Sequence, residues 1–503
     1  MADNTPTTEA NARHLLRRTG FGAKPEDVQF LVDNHTTIGA AVDYLLDFQP
    51  TTFRPGGRYI EDAHNKWVKY MIKTRLQLQE KLVVFWHDHF ATSYAKVGDV
   101  TLMRSQNRLL RLNCKGNFRD FVKAINKDAA MIEFLDTARN RKKVPNENYA
   151  RELQELFALG LKAPVPDSGG KDNNYDQEDI VQIARAFTGW DYDSKGNAEF
   201  NSGGHDKGDA LEGWNPPRGP KVIFKNRGGF GSPAGQSFDA GTNYATEIDN
   251  VIDIICQHRY GPTGSLRPTT ADYIANKLIT YFAHPSPSAA YVHTVVDNSG
   301  FDVIFELTPL LREIFVHDDF YLSAGPPAAG AKKSVKWPVD LIIGTLRVLE
   351  MKLKGRYQEV QGGAYANVRD QLTNMGQILF EPPSVFGWDW ETSWVSSSTM
   401  LARYAFARDL TSARGSGATA FRPERLFDLT ETDPGIIVDS VTTLLGVFDQ
   451  LNATERDALI DYLTDGAGPG ASVDLQEQDG ATRKRKLNGL VATVLQSPAY
   501  QLH

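Results

Sequence analysis

A chain of 503 residues is long enough for one large core or for two to three domains of ordinary size. Its 41% hydrophobic and 23% charged content is that of a globular protein and excludes a disordered or fibrous chain. The net charge of −7 argues against a dedicated nucleic-acid binder, and no apolar run reaches the roughly 18 residues that a membrane span needs.

The predicted elements are mainly helical. "TEANARHLLRRTGFGA" reads as a helix capped by Thr8 and stopped by Gly20 and Gly22. Two short helices follow in "KPEDVQFLVDN" and "TIGAAVDYLLDF". The stretch 59–93 holds two helical patterns with a break near Thr74 to Gln77. In the next pair, Gly116 suits a left-handed helix end and Asn117 an N-cap. "AAMIEFLDT" and "NENYARELQELFALG" continue the helical pattern, Pro164 to Asn174 is a polar loop, and "QEDIVQIARAFTGW" is an amphipathic helix ending at Gly189.

From 190 to about 246 the chain turns rich in Gly, Asn, Asp and Pro, and short runs such as "KVIFKN" read as strands. Helices resume at "NYATEIDNVIDIICQH". Residues 324–334 and 414–423 read as exposed connections, and the basic "RKRKL" from Arg483 as a solvated helix face. The expected fold is therefore mainly α, a large multi-helical globular body with an irregular, partly β insertion. Its regions are 1–189, 190–246, 247–413 and 414–503.

Cys114 and Cys256 cannot build a cysteine zinc site; two reduced, buried thiols are expected, one long-range disulfide being the alternative. The opening residues lack the apolar stretch of a secretory leader, so the expected location is the cytoplasm.

Several segments together resemble one family. "HLLRRTGFGA", "EKLVVFWHDHFATS", "GNFRDFVKAINKDAAMIEFLD", "NENYARELQELFALG", "IARAFTGW", the His205–Asp206 pair, "PPSVFGWDW" and "LQSPAYQL" occur in the order of the large bacterial DUF1800 family, across nearly the whole chain. That family is named for having no assigned function. The resemblance implies frequent export and a partner of the DUF1501 type, which looks like the alkaline-phosphatase and sulfatase superfamily. The chain departs from the family's habit in lacking a leader and in a longer, looser 190–246 region.

Four constellations are candidates for chemistry. In "NENYARELQELFALG", Arg151 stands four residues from both Glu147 and Glu155, so helical spacing lets it bridge them; Glu152 is left without such a partner. The structural reading is a charged helix face with an apolar stripe. The catalytic reading makes Glu147, Glu152 and Glu155 acids and bases, with Arg151 holding a carboxylate or an anionic substrate group.

In "FWHDHF", His87 and His89 diverge on a regular helix and converge on one metal only if His89 lies in the turn beyond it. His205 and Asp206 sit in a Gly-rich stretch that reads as a surface loop able to reach a pocket. Trp388, Trp390 and Trp394 suit a sugar-stacking platform or a buried domain seam.

The chain has no P-loop, no HExxH and no GxSxG. The expected function is a hydrolase or lyase acting on a polymer such as a polysaccharide. One alternative is an enzyme using a divalent metal (Zn²⁺, Mn²⁺ or Fe²⁺) on His87, His89, His205 and Asp206. The other is a non-catalytic assembly partner of a DUF1501-type protein.

Overall fold

The computed structural model describes residues 2–163, 165, 166, 170, 172–208, 218–225, 235–237, 243–261, 266–323, 333–351, 359, 360, 366–412, 421, 423–476 and 480–503. Most of the expected connections at 324–334 and 414–423 lie outside these residues.

Helices dominate the described residues, and every sheet among them is a two-stranded hairpin. The fold is mainly α with small β elements, as the periodicity indicates. The hairpins include Trp190–Tyr192 with Ala198–Phe200, and Val222–Ile223 with Gln236–Ser237, both inside the irregular insertion.

Local chemistry explains many boundaries. Thr8 caps the helix Glu9–Thr19 in a reciprocal capping box with Asn11. Asn117 accepts from the backbone N–H groups of Arg119 and Asp120 at the start of Phe118–Asn126. Asp176 caps Gln177–Ala186 in the same way, through Glu178 and Asp179. The break after Lys73 separates Ile60–Lys73 from Gln77–His89. Gly116 is not left-handed: the helix Val100–Asn113 ends on Cys114 in right-handed geometry.

Gln77–His89 is the axis of the core. Every residue from Leu78 to His89 is buried, charged ones included. Ile60–Lys73 and Val100–Asn113 flank it, and Pro338–Val348 packs on Ile60–Lys73. Glu80 accepts from Arg111 through Nε and Nη2, both at 2.8 Å, and from Trp67 Nε1 at 2.8 Å. This ion pair is fully buried, so its mutual attraction and its extra hydrogen bond offset the desolvation of both charges.

One hydrophobic cluster runs from Ala12 to Tyr500. Residues far apart in sequence close it. Val335 bridges Leu502 in an antiparallel pair, and the backbone N–H groups of Lys336 and His503 donate to Gln501 and Ser334. Tyr500 shares a hydrogen bond with Thr345 at 2.7 Å, and His503 lies 3.2 Å from Asp340. Cys114 and Cys256 are both free and buried, and burial pushes their thiols up to about 12. No helix among the described residues is long and apolar enough to cross a membrane.

Candidate functional site

The glutamate segment does not form one regular helix. An α-helix spans Asn148–Glu152, and a π-helix follows at Leu153–Ala158. The N–H groups of Leu159 and Gly160 both donate to Gln154 O, at 2.9 and 3.0 Å, so the Leu159 bond spans five residues. Gly160 makes the exit with φ of +74°, and a Cβ there would lie 3.0 Å from the ring of Tyr273.

This wider turn overturns the expected Arg151–Glu155 bridge. Arg151 keeps the expected pair with Glu147, on the α-helical side, at 3.2 Å, but on the π side it does not meet Glu155 and donates to Gln177 at 3.1 Å. Glu155 turns to Tyr175, whose hydroxyl donates to it at 3.1 Å. The Tyr273 hydroxyl donates to Leu156 O at 2.9 Å and fastens the π turn to the helix Thr269–Phe282.

Glu152 is half-buried and has no hydrogen-bond or ion-pair partner among the described residues. Burial raises its carboxyl above the usual range, the charge of Glu155 adds to this, and Arg151 opposes it. What Glu152 faces is therefore a second carboxylate, an arginine and Tyr175.

The histidine segment lies next to it but points inward. His89 is the last residue of the helix Gln77–His89, not part of a turn beyond it. Its Nε2 donates to Phe157 O, on the π turn, at 3.0 Å. His87 Nε2 accepts the N–H of Phe380 at 2.9 Å, amid the rings of Trp67, Phe380 and Trp388. Burial lowers both imidazoles, that of His87 to about 3, so both are neutral near pH 7. The two rings face different walls, as regular helical geometry demands.

Asp88 between them is a hub. It accepts from Trp388 N at 2.7 Å and from Trp390 Nε1 at 3.0 Å. Burial pushes its carboxyl up to about 7, against the pull of Lys277 and these two donors. Gly387 sits directly on this carboxylate with φ of +83°; a Cβ there would lie 2.3 Å from Asp88 Oδ1. Trp388 and Trp394 are buried, while Trp390 is half-buried against Trp337 and Tyr281. Burial in this seam takes Trp388 and Trp394 out of a sugar platform.

His205 and Asp206 also depart from the expected surface loop, since neither is exposed at all. Asp206 accepts from Arg185 at 3.0 and 3.2 Å and from Arg218 at 2.8 Å. Burial alone would raise its carboxyl, but these guanidinium bonds hold it below the usual range. His205 Nδ1 donates to Thr188 O at 2.8 Å, and its Nε2 lies 3.2 Å from Glu247, which also binds Lys221. The pair locks the insertion onto the helices Gln177–Ala186 and Glu247–Gln257.

His87, His89 and the His205–Asp206 pair thus engage separate protein partners. Among the described residues no three His, Cys, Asp or Glu side chains are grouped to hold a metal ion. What does come together is the glutamate segment, the Asp88 hub and one face of Thr269–Phe282. Along that face Tyr273 lies beside Glu155, Lys277 beside Asp88 and His89, and Tyr281 against Trp390. Tyr175, Tyr273 and Lys277 escaped the sequence reading. The four-residue spacing of Tyr273, Lys277 and Tyr281 is visible in "TADYIANKLITYFA", but it resembles any amphipathic helix.

No curated protein and no solved structure matches the chain. The family model described as "Protein of unknown function (DUF1800)" matches residues 14–502, nearly the full length. The buried signatures and the open glutamate turn therefore belong to a member of the DUF1800 family.

Proposed function

We propose that the chain is an acid–base hydrolase, or a lyase, acting on a polymer such as a polysaccharide, with its chemistry centred on Glu152 and Glu155. The observation that carries this reading is Glu152: a half-buried carboxyl with no hydrogen-bond or ion-pair partner among the described residues, its proton affinity raised beside a second carboxylate. A π turn is also a frequent device at functional sites.

The two acids divide the work by environment. Glu152 holds a proton more readily and donates it to the leaving oxygen. Glu155, hydrogen-bonded to Tyr175, takes a proton from water or from the substrate carbon. Arg151, at 41% exposure, and Glu147, at 37%, form an open rim with Gln177 that suits hydroxyl-rich or anionic groups of a long substrate.

The test is a reducing-end and unsaturated-product screen over neutral and acidic polysaccharides. Glu152→Gln should abolish turnover on any hit without lowering the melting temperature. A variant that keeps full activity ends this reading.

A second reading has its own support. His87, Asp88, His89, His205, Asp206, Trp388 and Trp394 are all buried in structural networks. That suits a non-catalytic assembly protein paired with a DUF1501-type partner. Co-purification of that partner, unaffected by Glu152→Gln, would favour it.

A further inference from the structure

Away from the glutamate turn, the core holds an unusual surplus of positive charge. Arg17, Arg18, Lys81, Lys336 and Arg403 are each at most 8% exposed. The buried carboxylate that acts on Arg18, Lys81, Lys336 and Arg403 is Asp340, at 5% exposed, with half-buried Glu391 near Arg18. Asp340 is already engaged by Lys81 at 2.5 Å and by His503 at 3.2 Å.

The other cations meet neutral groups. Arg18 donates to the carbonyls of Phe282 and Tyr281 and to the Ser334 hydroxyl. Arg403 donates to Gln501 Oε1 and Lys336 O. Arg17 donates to Gly446 O at 2.7 Å and touches His14, while its Nε has no partner among the described residues. Asp449, the acid closest to its influence, is taken by Arg13. The ammonium of Lys336 lies 3.8 Å from the ring centroid of Tyr500 and has no hydrogen-bond or ion-pair partner among the described residues.

Arg17 and Lys336 line the same small cavity, with Asp340, Tyr500 and His503 on its other walls. Three glycines complete the wall with bare backbone. The space is about 20 Å³ for the centre of a water-sized body, enough for one such body and too small for phosphate or sulfate. An ammonium so enclosed, with no acceptor bonded to it among the described residues and only an already engaged carboxylate nearby, is costly, because little replaces its water. Either Lys336 gives up its proton, or an anion enters.

We propose that this cavity binds a single small monovalent anion of halide size, held by Lys336 and Arg17. The anion lowers the local charge surplus and ties the helix Glu9–Thr19 to the segment 334–336 and to residues 500–503. No residue of the glutamate turn lines this cavity, so the anion can be tested separately from the proposed chemistry.

The test uses the full chain. Crystals soaked in sodium bromide should show an anomalous peak within hydrogen-bonding reach of Lys336 Nζ. Thermal unfolding at matched ionic strength should give a saturable rise in melting temperature with chloride or bromide, and none with gluconate or sulfate. Lys336→Met should erase the halide-specific increment. A bromide-soaked crystal with no anomalous peak in the cavity, melting temperatures indifferent to the anion, or a Lys336→Met protein that keeps the full halide increment would each overturn the proposal. The bromide measurement needs no variant, so a failure of Lys336→Met to fold leaves it decisive.

Discussion

Replacing Asp88 with Asn separates the charge of this hub from its shape. Burial shifts the Asp88 carboxyl from 3.8 to about 7. A folded-state pKa above the unfolded one means that the folded chain binds the extra proton between roughly pH 4 and 7. Stability then falls as pH rises through that window and levels off above it. Three units at about 1.4 kcal/mol each make the loss on the order of 4 kcal/mol. Asn is neutral throughout and cannot contribute this slope. It keeps an acceptor for Trp388 N–H, but its amide N–H₂ meets Trp390 Nε1–H, a mismatch costing about 1–3 kcal/mol at every pH.

The readout is the difference in urea-unfolding free energy between the native chain and Asp88→Asn, followed by tryptophan fluorescence at constant ionic strength. Between pH 4.5 and 7.5 that difference should move in favour of the variant by about 3–4 kcal/mol. Asp128, which burial also pushes up to about 7, titrates in both proteins and cancels. Parallel pH curves for the two proteins would refute the reasoning. They would mean that the two tryptophan donors and Lys277 keep Asp88 ionised throughout.

Glu80→Gln strands the Arg111 guanidinium in the core and should cost about 3–5 kcal/mol in the same urea assay. Gly387→Ala places a methyl on Asp88 in a left-handed backbone; it should lose about 1–3 kcal/mol or more and alter the near-UV circular dichroism of Trp388 and Trp390. Tyr175→Phe removes the hydroxyl bonded to Glu155 and should cost about 0.5–1.5 kcal/mol, read from the urea midpoint. Arg185→Met leaves Asp206 with one guanidinium instead of two. It should speed limited proteolysis within 190–246, whereas an unchanged cleavage rate would remove the locking role given to Asp206.

What was readable in advance was local. Thr8 and Asn117 announce helix starts because a short polar side chain and the backbone N–H groups it caps lie within three residues. The irregular insertion was readable because Gly, Asn and Pro act on their own backbone. The errors share a different cause. The π turn at Leu153–Ala158 is held by Tyr273, more than a hundred residues away, and Glu155 on it meets Tyr175 in place of Arg151. The burial of His205 and Asp206 depends on Arg185, Arg218 and Glu247, which a Gly-rich stretch does not reveal. Glu152 was singled out by having no partner at helical spacing, and it has none among the described residues.

The pairing of Val335 with Leu502, and of Asp340 with His503, carries a consequence for how the chain is made. Asp340 and His503 are 163 positions apart, and Arg17 precedes both. At a synthesis rate of roughly 5–20 residues per second, Asp340 leaves the ribosome roughly ten to thirty seconds before its partner exists. During that interval Lys81, Lys336 and Arg403 stay hydrated, and the face that receives residues 499–503 stays open. The core therefore cannot close until residue 503 has been made. Until then the charged groups around Asp340 lack the cover that residues 499–503 provide.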